Sequence, residues 1–215
     1  MIRIVLADDH AIVREGLKRI VGDVADFTVA GEAADGGEVT RVVRELDFDV
    51  LVLDLSMPGR SGMELIKLVK ADKPKLRVLV LSMHQEMQYA VRAIKAGASG
   101  YLTKESAPAL LEEAIRKVAG GGAYISAEVA QQLALGAMPG GDASAAPHES
   151  LSDREFEVFR LLVAGDAVSD IAAKLHLSVK TVSTHKANLM QKLGLANPTE
   201  LVRYALKHGL AEPLN

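Results

Sequence analysis

Hydrophobic residues in the first 120 positions form short continuous runs, separated by longer stretches with helical spacing. Each run is bounded by turn-forming or charged residues, which predicts a strand. Between the runs, apolar residues recur every three or four positions, which predicts helices. The predicted strands cover 2–7, 27–33, 50–54, 76–81 and 100–103, and the predicted helices cover 11–21, 36–46, 62–71, 86–96 and 106–118. Five strands alternating with five helices predict an α/β fold with a doubly wound five-stranded parallel sheet.

After residue 150 the hydrophobic pattern has helical spacing only. Ser152 and Glu155 form a capping box at the start of the first helix, and His176 and Leu177 form a tight turn between the second and third helices. The predicted helices cover 152–165, 169–175, 178–193 and 198–208. Four short helices with this turn predict a small all-α helix-turn-helix domain.

The segment between these two patterns contains one further predicted helix, at 126–135. Residues 136–150 are rich in Gly, Ala, Pro and Ser and have no apolar period, which predicts a flexible tether. We therefore expect a first domain over 1–120, a helix and flexible linker over 121–150, and a second domain over 151–215.

The third helix of the second domain has two distinct faces. At 100° per residue, Val182, Leu189 and Leu193 fall within roughly 40° of one another and form a narrow apolar stripe. The opposite stripe is polar apart from one small residue, and it contains Lys180, Thr184, Ala187 and Gln191, with Ser183 beside it. A stripe of this kind suits close entry into the major groove of DNA, although an ordinary solvated helix face has the same pattern.

Composition narrows the class of protein. Of the 215 residues, 49% are hydrophobic and 25% are charged, which is typical of a soluble globular protein. Cysteine is absent, which excludes disulfides and thiolate metal sites. The apolar run at the N-terminus reaches Asp8 too soon for a signal peptide or a membrane span, so we expect a cytoplasmic protein with no membrane partner.

The net charge of −3 does not by itself indicate a nucleic-acid partner. Between residues 171 and 199, however, four lysines occur without any acidic residue, at positions 174, 180, 186 and 192. The local field of the third helix is therefore expected to be positive, and a single copy of the chain is expected to bind DNA weakly.

Polar residues able to act on a phosphate end or directly follow four of the predicted strands. They are Asp8 and Asp9, Asp54, Ser82 and Lys104. Because the carboxyl ends of parallel strands lie at one edge of a sheet, these side chains are expected to converge. Clustered carboxylates favour Mg²⁺, and a carboxylate beside a metal and a lysine can attack a phosphoryl group. Taken singly, each residue could equally be a turn former, a helix cap or a solvated lysine.

The first 120 residues resemble the receiver domain of bacterial two-component response regulators, which has a flavodoxin-like fold. The matching motifs are ADDH at 7–10, DLSMPGRSG at 54–62, LSMH at 81–84 and GYLTK at 100–104. One departure is Glu105, which follows Lys104 where many receivers have proline, as in the subfamily with a helix-turn-helix output domain.

The resemblance implies a role for each motif residue. Asp54 would accept a phosphoryl group from a histidine kinase, and Ser82 and Lys104 would bind the phosphoryl oxygens. Tyr101 would turn inward when Ser82 moves. Mg²⁺ would be held by Asp9, Asp54 and the backbone carbonyl of Ser56, with Asp8 nearby through water.

Residues 151–202 resemble the LuxR-type helix-turn-helix domain of NarL/FixJ response regulators. The matching motifs are L-S-x-R-E at 151, I-A-x-x-L at 171–175, S-x-x-T-V-x-x-H at 178–185 and K-L-G at 192. By the resemblance Lys180, Ser183, Thr184 and Ala187 would face DNA bases, and Thr181, His185 and Lys186 would contact phosphates or pack. Several relatives carry lysine where this chain has Ser183 and Ala187, and residues 167–170 lack the usual Asn-Lys-Glu run.

The favoured interpretation is a transcription regulator switched by phosphorylation of Asp54. The expected partners are a sensor histidine kinase, double-stranded promoter DNA and RNA polymerase, with a homodimer as the active form. We expect no turnover of a separate substrate, although the domain is expected to promote loss of its own phosphoryl group.

Two alternatives remain open. In one, the receiver serves only for dimerisation and is never phosphorylated. In the other, the chain is a phosphatase-like enzyme, but such enzymes usually carry a second acid where this chain has Ser56.

Overall fold

The computed structural model describes residues 1–57, 61–83, 87–136 and 146–210. The chain divides into two compact units, Met1–Ala134 and Leu135–Asn215. Within the described residues, no helix is both long and apolar enough to cross a membrane.

The first unit alternates strands and helices as expected. Its elements are β1 (Ile2–Ala7), α1 (Ala11–Gly22), β2 (Phe27–Ala33), α2 (Gly36–Glu45), β3 (Val50–Asp54), α3 (Gly62–Asp72), β4 (Arg77–Ser82), α4 (Met87–Lys95), β5 (Gly100–Thr103), α5 (Ala107–Ala119) and α6 (Ala127–Gly136). The strands form a parallel five-stranded sheet in the order β2-β1-β3-β4-β5. The predicted doubly wound sheet is confirmed, and the start predicted for α4 at residue 86 lies outside the described residues.

The central strands are buried on both faces, which explains their continuous apolar sequence. All five residues of β3 are buried, and so are Ile4, Leu6, Leu79 and Leu81 on the neighbouring strands. Leu111 of α5 belongs to the same core cluster as β1, β3 and β4. The carboxyl ends of β1, β3 and β4 are therefore held at one rigid edge.

The start of α5 differs in detail from the expectation that Ser106 caps it. Ser106 occupies the N-cap position, but its side chain makes no capping hydrogen bond. Its hydroxyl lies 2.8 Å from the hydroxyl of Thr103 instead. Pro108 lies in the first turn of the helix as predicted.

Gly62 at the start of α3 is required by close packing. A Cβ atom at this position would lie 2.7 Å from both the Cα and the carbonyl oxygen of Leu55, which follows Asp54. We expect Gly62→Ala to lower the free energy of unfolding by about 2 kcal/mol, because backbone must move to admit the methyl group.

Gly16→Ala provides the matched control for this prediction. A Cβ atom at Gly16, in α1, would meet nothing within 4 Å. Alanine is therefore expected to stabilise that helix, by up to about 1 kcal/mol. Urea denaturation followed by circular dichroism measures both variants, and equal effects of the two substitutions would contradict the packing argument.

The segment that leads into α6 pairs with the edge of the sheet, and α6 itself packs on α4. Tyr124 forms a parallel bridge with Gly100, and its carbonyl accepts a hydrogen bond from the N–H of Tyr101 at 2.9 Å. Val129 of α6 is buried in a cluster with Ala90 and Val91 of α4. Residues 124–133 therefore extend the first unit beyond the boundary expected at residue 120.

The second unit contains four helices within the described residues, α7 (Asp153–Val163), α8 (Val168–Lys174), α9 (Val179–Leu193) and α10 (Pro198–Lys207). The capping box is confirmed, since the N–H of Glu155 donates to Ser152 Oγ and the N–H of Ser152 donates to Glu155 Oε2. His176 has φ 52°, a left-handed conformation that makes the α8–α9 turn tight. The predicted helix-turn-helix arrangement is confirmed.

The flexible tether was predicted over residues 136–150, but its last residues belong to the second unit. Pro147–Ser150 form a 3-10 turn, and His148 within it is only 3% exposed. Its Nδ1 lies 3.0 Å from the hydroxyl of Tyr204 on α10, so a polar side chain in a Pro/Ala/Ser-rich segment becomes part of the core. The middle of the predicted tether, residues 137–145, lies outside the described residues.

Candidate functional site

The polar residues that end the strands of the first unit meet at its carboxyl edge. Asp54 is the last residue of β3, and Asp8 directly follows β1. Ser82 ends β4, and Lys104 directly follows β5. Asp8, Asp54 and Ser82 are at most 1% exposed, although they stand at the ends of their strands. The convergence expected from strand topology is present.

Lys104 lies between the two buried carboxylates. Its Nζ is 2.8 Å from Oδ2 of Asp54 and 2.6 Å from Oδ2 of Asp8. The other oxygen of Asp54, Oδ1, accepts a hydrogen bond from the N–H of Ser56 at 3.2 Å. Oδ1 of Asp8 accepts the N–H of His10 at 2.8 Å. One ammonium group thus compensates two buried acids.

Burial and the ion pair between Asp54 and Lys104 shift the pKa of each of these two groups in opposite directions. Burial raises the pKa of Asp54 above its usual value, and the nearby charge of Asp8 raises it further, while the Lys104 ammonium opposes both. Burial lowers the pKa of Lys104, but its hydrogen bonds to Asp54 and Asp8 outweigh burial and raise that pKa overall. A further cation beside Asp54 would favour its ionised, nucleophilic form.

A group of four side chains at this edge could hold a metal ion. Asp8, Asp9, His10 and Asp54 each offer one ligand atom, and these atoms lie within 4.8 Å of one another. The three carboxylates supply the hard oxygen ligands that Mg²⁺ prefers, and the exposed Asp9 leaves room for the waters that Mg²⁺ retains. The donor set therefore fits Mg²⁺.

His10 ends the ADDH motif, but no role in this group was predicted for it from the sequence. Its Nδ1 lies 2.9 Å from Oδ1 of Asp9 and 3.4 Å from Oδ1 of Asp8. The signal in the sequence was its position directly after the Asp8-Asp9 pair, which keeps its ring close to both carboxylates although the side chain is 65% exposed.

Ser82 and Tyr101 are the two other residues of the first unit for which a role was predicted from the sequence. Ser82 is fully buried at the end of β4, where its carbonyl accepts the backbone N–H of Lys104 at 2.8 Å. Tyr101 is half-buried and packs on the cluster formed by Ala90, Val91 and Val129. The structure thus places Ser82 against the site and Tyr101 on the α4–α6 side of the unit.

Helix α9 presents the polar face expected from the sequence. Val182, Leu189 and Leu193 are buried, which confirms the inward stripe. Of the residues selected for DNA, Lys180, Ser183, Thr184 and Ala187 are exposed, and Thr181, His185 and Lys186 are half-buried. The hydroxyls of Ser183 and Thr184 donate to carbonyls one turn earlier, at 2.9 and 3.0 Å, so both present acceptor lone pairs outward.

The positive field around α9 is smaller than a count of lysines indicates. Lys174 pairs with Asp166 at 2.7 Å, and Lys192 pairs with the buried Glu155 at 2.6 Å. Both acids lie outside the 171–199 window in sequence, so the count could not include them. Lys180 and Lys186 have no ion pair among the described residues.

Comparison with known proteins agrees with both units. Residues 4–116 match the family "Response regulator receiver domain", and residues 149–205 match "Bacterial regulatory proteins, luxR family". The chain is 35% identical over 210 residues to the response regulator UvrY of Escherichia coli, covering 98% of this chain and 96% of UvrY. It is 36% identical over 212 residues to the response regulator GacA of Pseudomonas viridiflava, covering 99% of each.

A solved structure of similar architecture is RcsB from Salmonella enterica serovar Typhimurium bound to promoter rprA in the presence of the phosphomimetic BeF3⁻. It is 31% identical to this chain with a TM-score of 0.65, covering 94% of this chain and 97% of that one. Both domain families are matched in order along the present chain. This protein therefore belongs to the NarL/FixJ family of two-component response regulators, which are DNA-binding transcription regulators with a receiver domain and a LuxR-type helix-turn-helix domain.

Proposed function

We propose that Asp54 accepts a phosphoryl group from a sensor histidine kinase and thereby controls DNA binding by the second domain. The observation that carries this proposal is the buried Asp54 carboxylate, with Lys104 Nζ 2.8 Å away and two further carboxylates beside it. An oxygen of Asp54 attacks phosphorus, the bond from phosphorus to the histidine nitrogen of the kinase breaks, and the imidazole leaves.

The residues around Asp54 have separable roles in this step. Asp9, Asp54 and the backbone carbonyl of Ser56 would hold Mg²⁺, with Asp8 nearby through water. When bound, the ion neutralises charge on the transferring phosphoryl oxygens. Lys104 shifts from the Asp54 carboxylate to a phosphoryl oxygen, and the Ser82 hydroxyl donates to another. The same arrangement promotes attack by water and loss of the phosphoryl group, without turnover of a separate substrate.

Tyr101 links this chemistry to the rest of the chain. Its ring packs on a cluster that includes Val129 of α6, and its N–H donates to the carbonyl of Tyr124. When Ser82 moves toward the phosphoryl group, Tyr101 turns inward and removes one side of the surface on which α6 rests. The state of Asp54 is thereby passed to the segment that leads to the second domain.

The exposed face of α9 enters the major groove in this proposal, with Lys180, Ser183, Thr184 and Ala187 facing base edges. Thr181, His185 and Lys186 contact phosphates or pack beside them. Since only two of the four lysines are free of ion pairs within the described part of the unit, one copy supplies few phosphate contacts. We therefore propose that a homodimer binds promoter DNA, in the cytoplasm, and acts on RNA polymerase.

Phosphorylation is tested by measuring the mass of the intact protein after it has been incubated with Mg²⁺ and acetyl phosphate. We expect a labile adduct of one phosphoryl group on the wild type and none on Asp54→Ala. Affinity for promoter DNA is then compared between the phosphorylated and unphosphorylated protein. An unmodified wild type would instead support a receiver that serves only for dimerisation.

The DNA interface is tested by salt dependence. We expect Lys180→Ala and Lys186→Ala each to weaken DNA binding and to reduce the slope of log affinity against log salt by about 0.9 for each phosphate that the variant no longer neutralises. Fluorescence anisotropy with a labelled duplex measures both quantities. Lys174→Ala is the matched control, because Asp166 already neutralises this lysine, and an equal decrease of slope there would contradict the assignment.

A further inference from the structure

An open groove lies at the opposite edge of the receiver sheet, where the strands begin. We call it the amino-edge groove, and it is lined by Arg3, Phe48, Lys73, Lys75, Leu76 and Arg77. Its volume of about 730 Å³ is within the range of small-molecule sites. The five residues of β3 separate it from Asp54 by about 13 Å, so the groove does not belong to the phosphorylation site.

The groove has an excess of positive charge that its own acids do not neutralise. It contains four cationic side chains and two carboxylates, Asp47 and Asp49. The Asp49 carboxylate accepts the backbone N–H of Arg3 at 2.8 Å, and the 98% exposed Asp47 lies 3.6 Å from Lys73. Within the described chain, Arg3, Lys75 and Arg77 have no ion pair. The groove is therefore positive in a chain whose net charge is −3.

A fifth cation behind the groove increases this field. Lys70 Nζ is held by the carbonyls of Pro74 and Leu76, at 2.5 and 2.9 Å. Burial lowers the pKa of Lys70, and the charge of Arg77 lowers it further. The backbone thus holds like charges close together, and an anion in the groove would relieve their repulsion.

The groove also offers an aromatic surface. Phe48 is half-buried, with Lys73 Nζ 5.9 Å from its ring centroid, and the buried Leu76 lines the same wall of the groove. Cationic groups next to an aromatic ring match a ligand that combines phosphates with a planar base.

We propose that the amino-edge groove binds a nucleotide, with its phosphates on Arg3, Lys75 and Arg77 and its base against Phe48. This site is independent of phosphorylation at Asp54, and its failure would leave the proposed function unaffected.

The test is isothermal titration calorimetry of the full chain with ATP, in EDTA so that no divalent ion bridges the nucleotide to the acidic cluster. We expect saturable binding that Lys75→Gln/Arg77→Gln weakens at least tenfold. The matched control is Arg19→Gln/Lys95→Gln, which removes the same charge from exposed residues outside the groove and is expected to change affinity less than twofold. Equal weakening by both double variants, or no saturable binding, would overturn the proposal.

The role of the base is tested with inorganic tripolyphosphate, which carries more charge than ATP but no ring. We expect ATP to bind more tightly than tripolyphosphate to the wild type, and Phe48→Leu to remove that advantage. Tighter binding of tripolyphosphate to the wild type would identify a plain anion site and overturn the nucleotide assignment, whether or not Phe48→Leu folds. Loss of duplex DNA affinity in Lys75→Gln/Arg77→Gln, without ATP binding to the wild type, would assign the groove to DNA phosphates instead.

Discussion

Replacing Lys104 with alanine is expected to lower the free energy of unfolding by about 3 kcal/mol when divalent ions are absent. Lys104 is the cation that compensates two carboxylates, at 2.6 Å from Asp8 and 2.8 Å from Asp54. Both carboxylates are at most 1% exposed, so water cannot replace the missing ammonium well. Urea denaturation in EDTA measures the loss, and Lys95→Ala, which removes an exposed lysine, is expected to change stability by less than about 0.5 kcal/mol.

Mg²⁺ is expected to stabilise Lys104→Ala more than it stabilises the wild type. In the wild type the ammonium group repels a divalent ion, whereas in the variant the ion supplies the missing positive charge. The difference in stability between the two proteins should therefore shrink as Mg²⁺ is added, in proportion to the tighter binding of the ion to the variant. A difference that stays constant across the titration would show that the ion binds both proteins equally, and would contradict the expected competition between Lys104 and the metal.

Lys192→Ala is expected to destabilise the second unit by about 2 kcal/mol at neutral pH. Glu155 is 4% exposed, and Lys192 Nζ lies 2.6 Å from the same Oε2 that accepts the N–H of Ser152. The ion pair thus joins the start of α7 to the end of α9. Hydrogen exchange of peptides from these two helices, measured in the full chain, reports the loss without interference from the first unit. Lys180→Ala is the control on the same helix.

The effect of Lys192→Ala is expected to depend on pH in a definite direction. Burial alone would raise the pKa of Glu155, but hydrogen bonds from Lys192 and from Ser152 outweigh it and lower the pKa below the ordinary 4.5. The stability that this group contributes is therefore present above pH 4.5 and is lost as the pH falls through the lower pKa of the folded state. Wild type and variant should converge below that range, and a difference that grew on acidification would contradict the assignment.

The local pattern of apolar and polar residues was sufficient to predict the strands and helices and to select most of the side chains that meet at the carboxyl edge of the sheet. Buried parallel strands must be apolar on both faces, so the runs ending at Asp8, Asp54, Ser82 and Lys104 were visible without coordinates. Parallel pairing then placed their ends together, because every strand of such a sheet ends at the same edge. The capping box at Ser152 was equally local, since its partners are three residues apart.

The pairing of charged side chains depends on contacts between residues that are distant in sequence. Lys104 bridges Asp8 as well as Asp54, and Lys192 neutralises Glu155 across 37 positions of sequence. Strand order and helix packing set these distances, and spacing along the chain does not report them.

The order of strands and helices, the acidic and basic residues at the strand ends, and the two faces of α9 could all be predicted from local sequence. The burial of His148, the packing of α6 on the Tyr101 side and the positive groove around Phe48 depended on the folded chain. The physical reason is the separation in sequence between the residues that interact. Periodicity and capping arise between residues a few positions apart, whereas burial and electrostatic compensation arise between residues that only folding brings into contact.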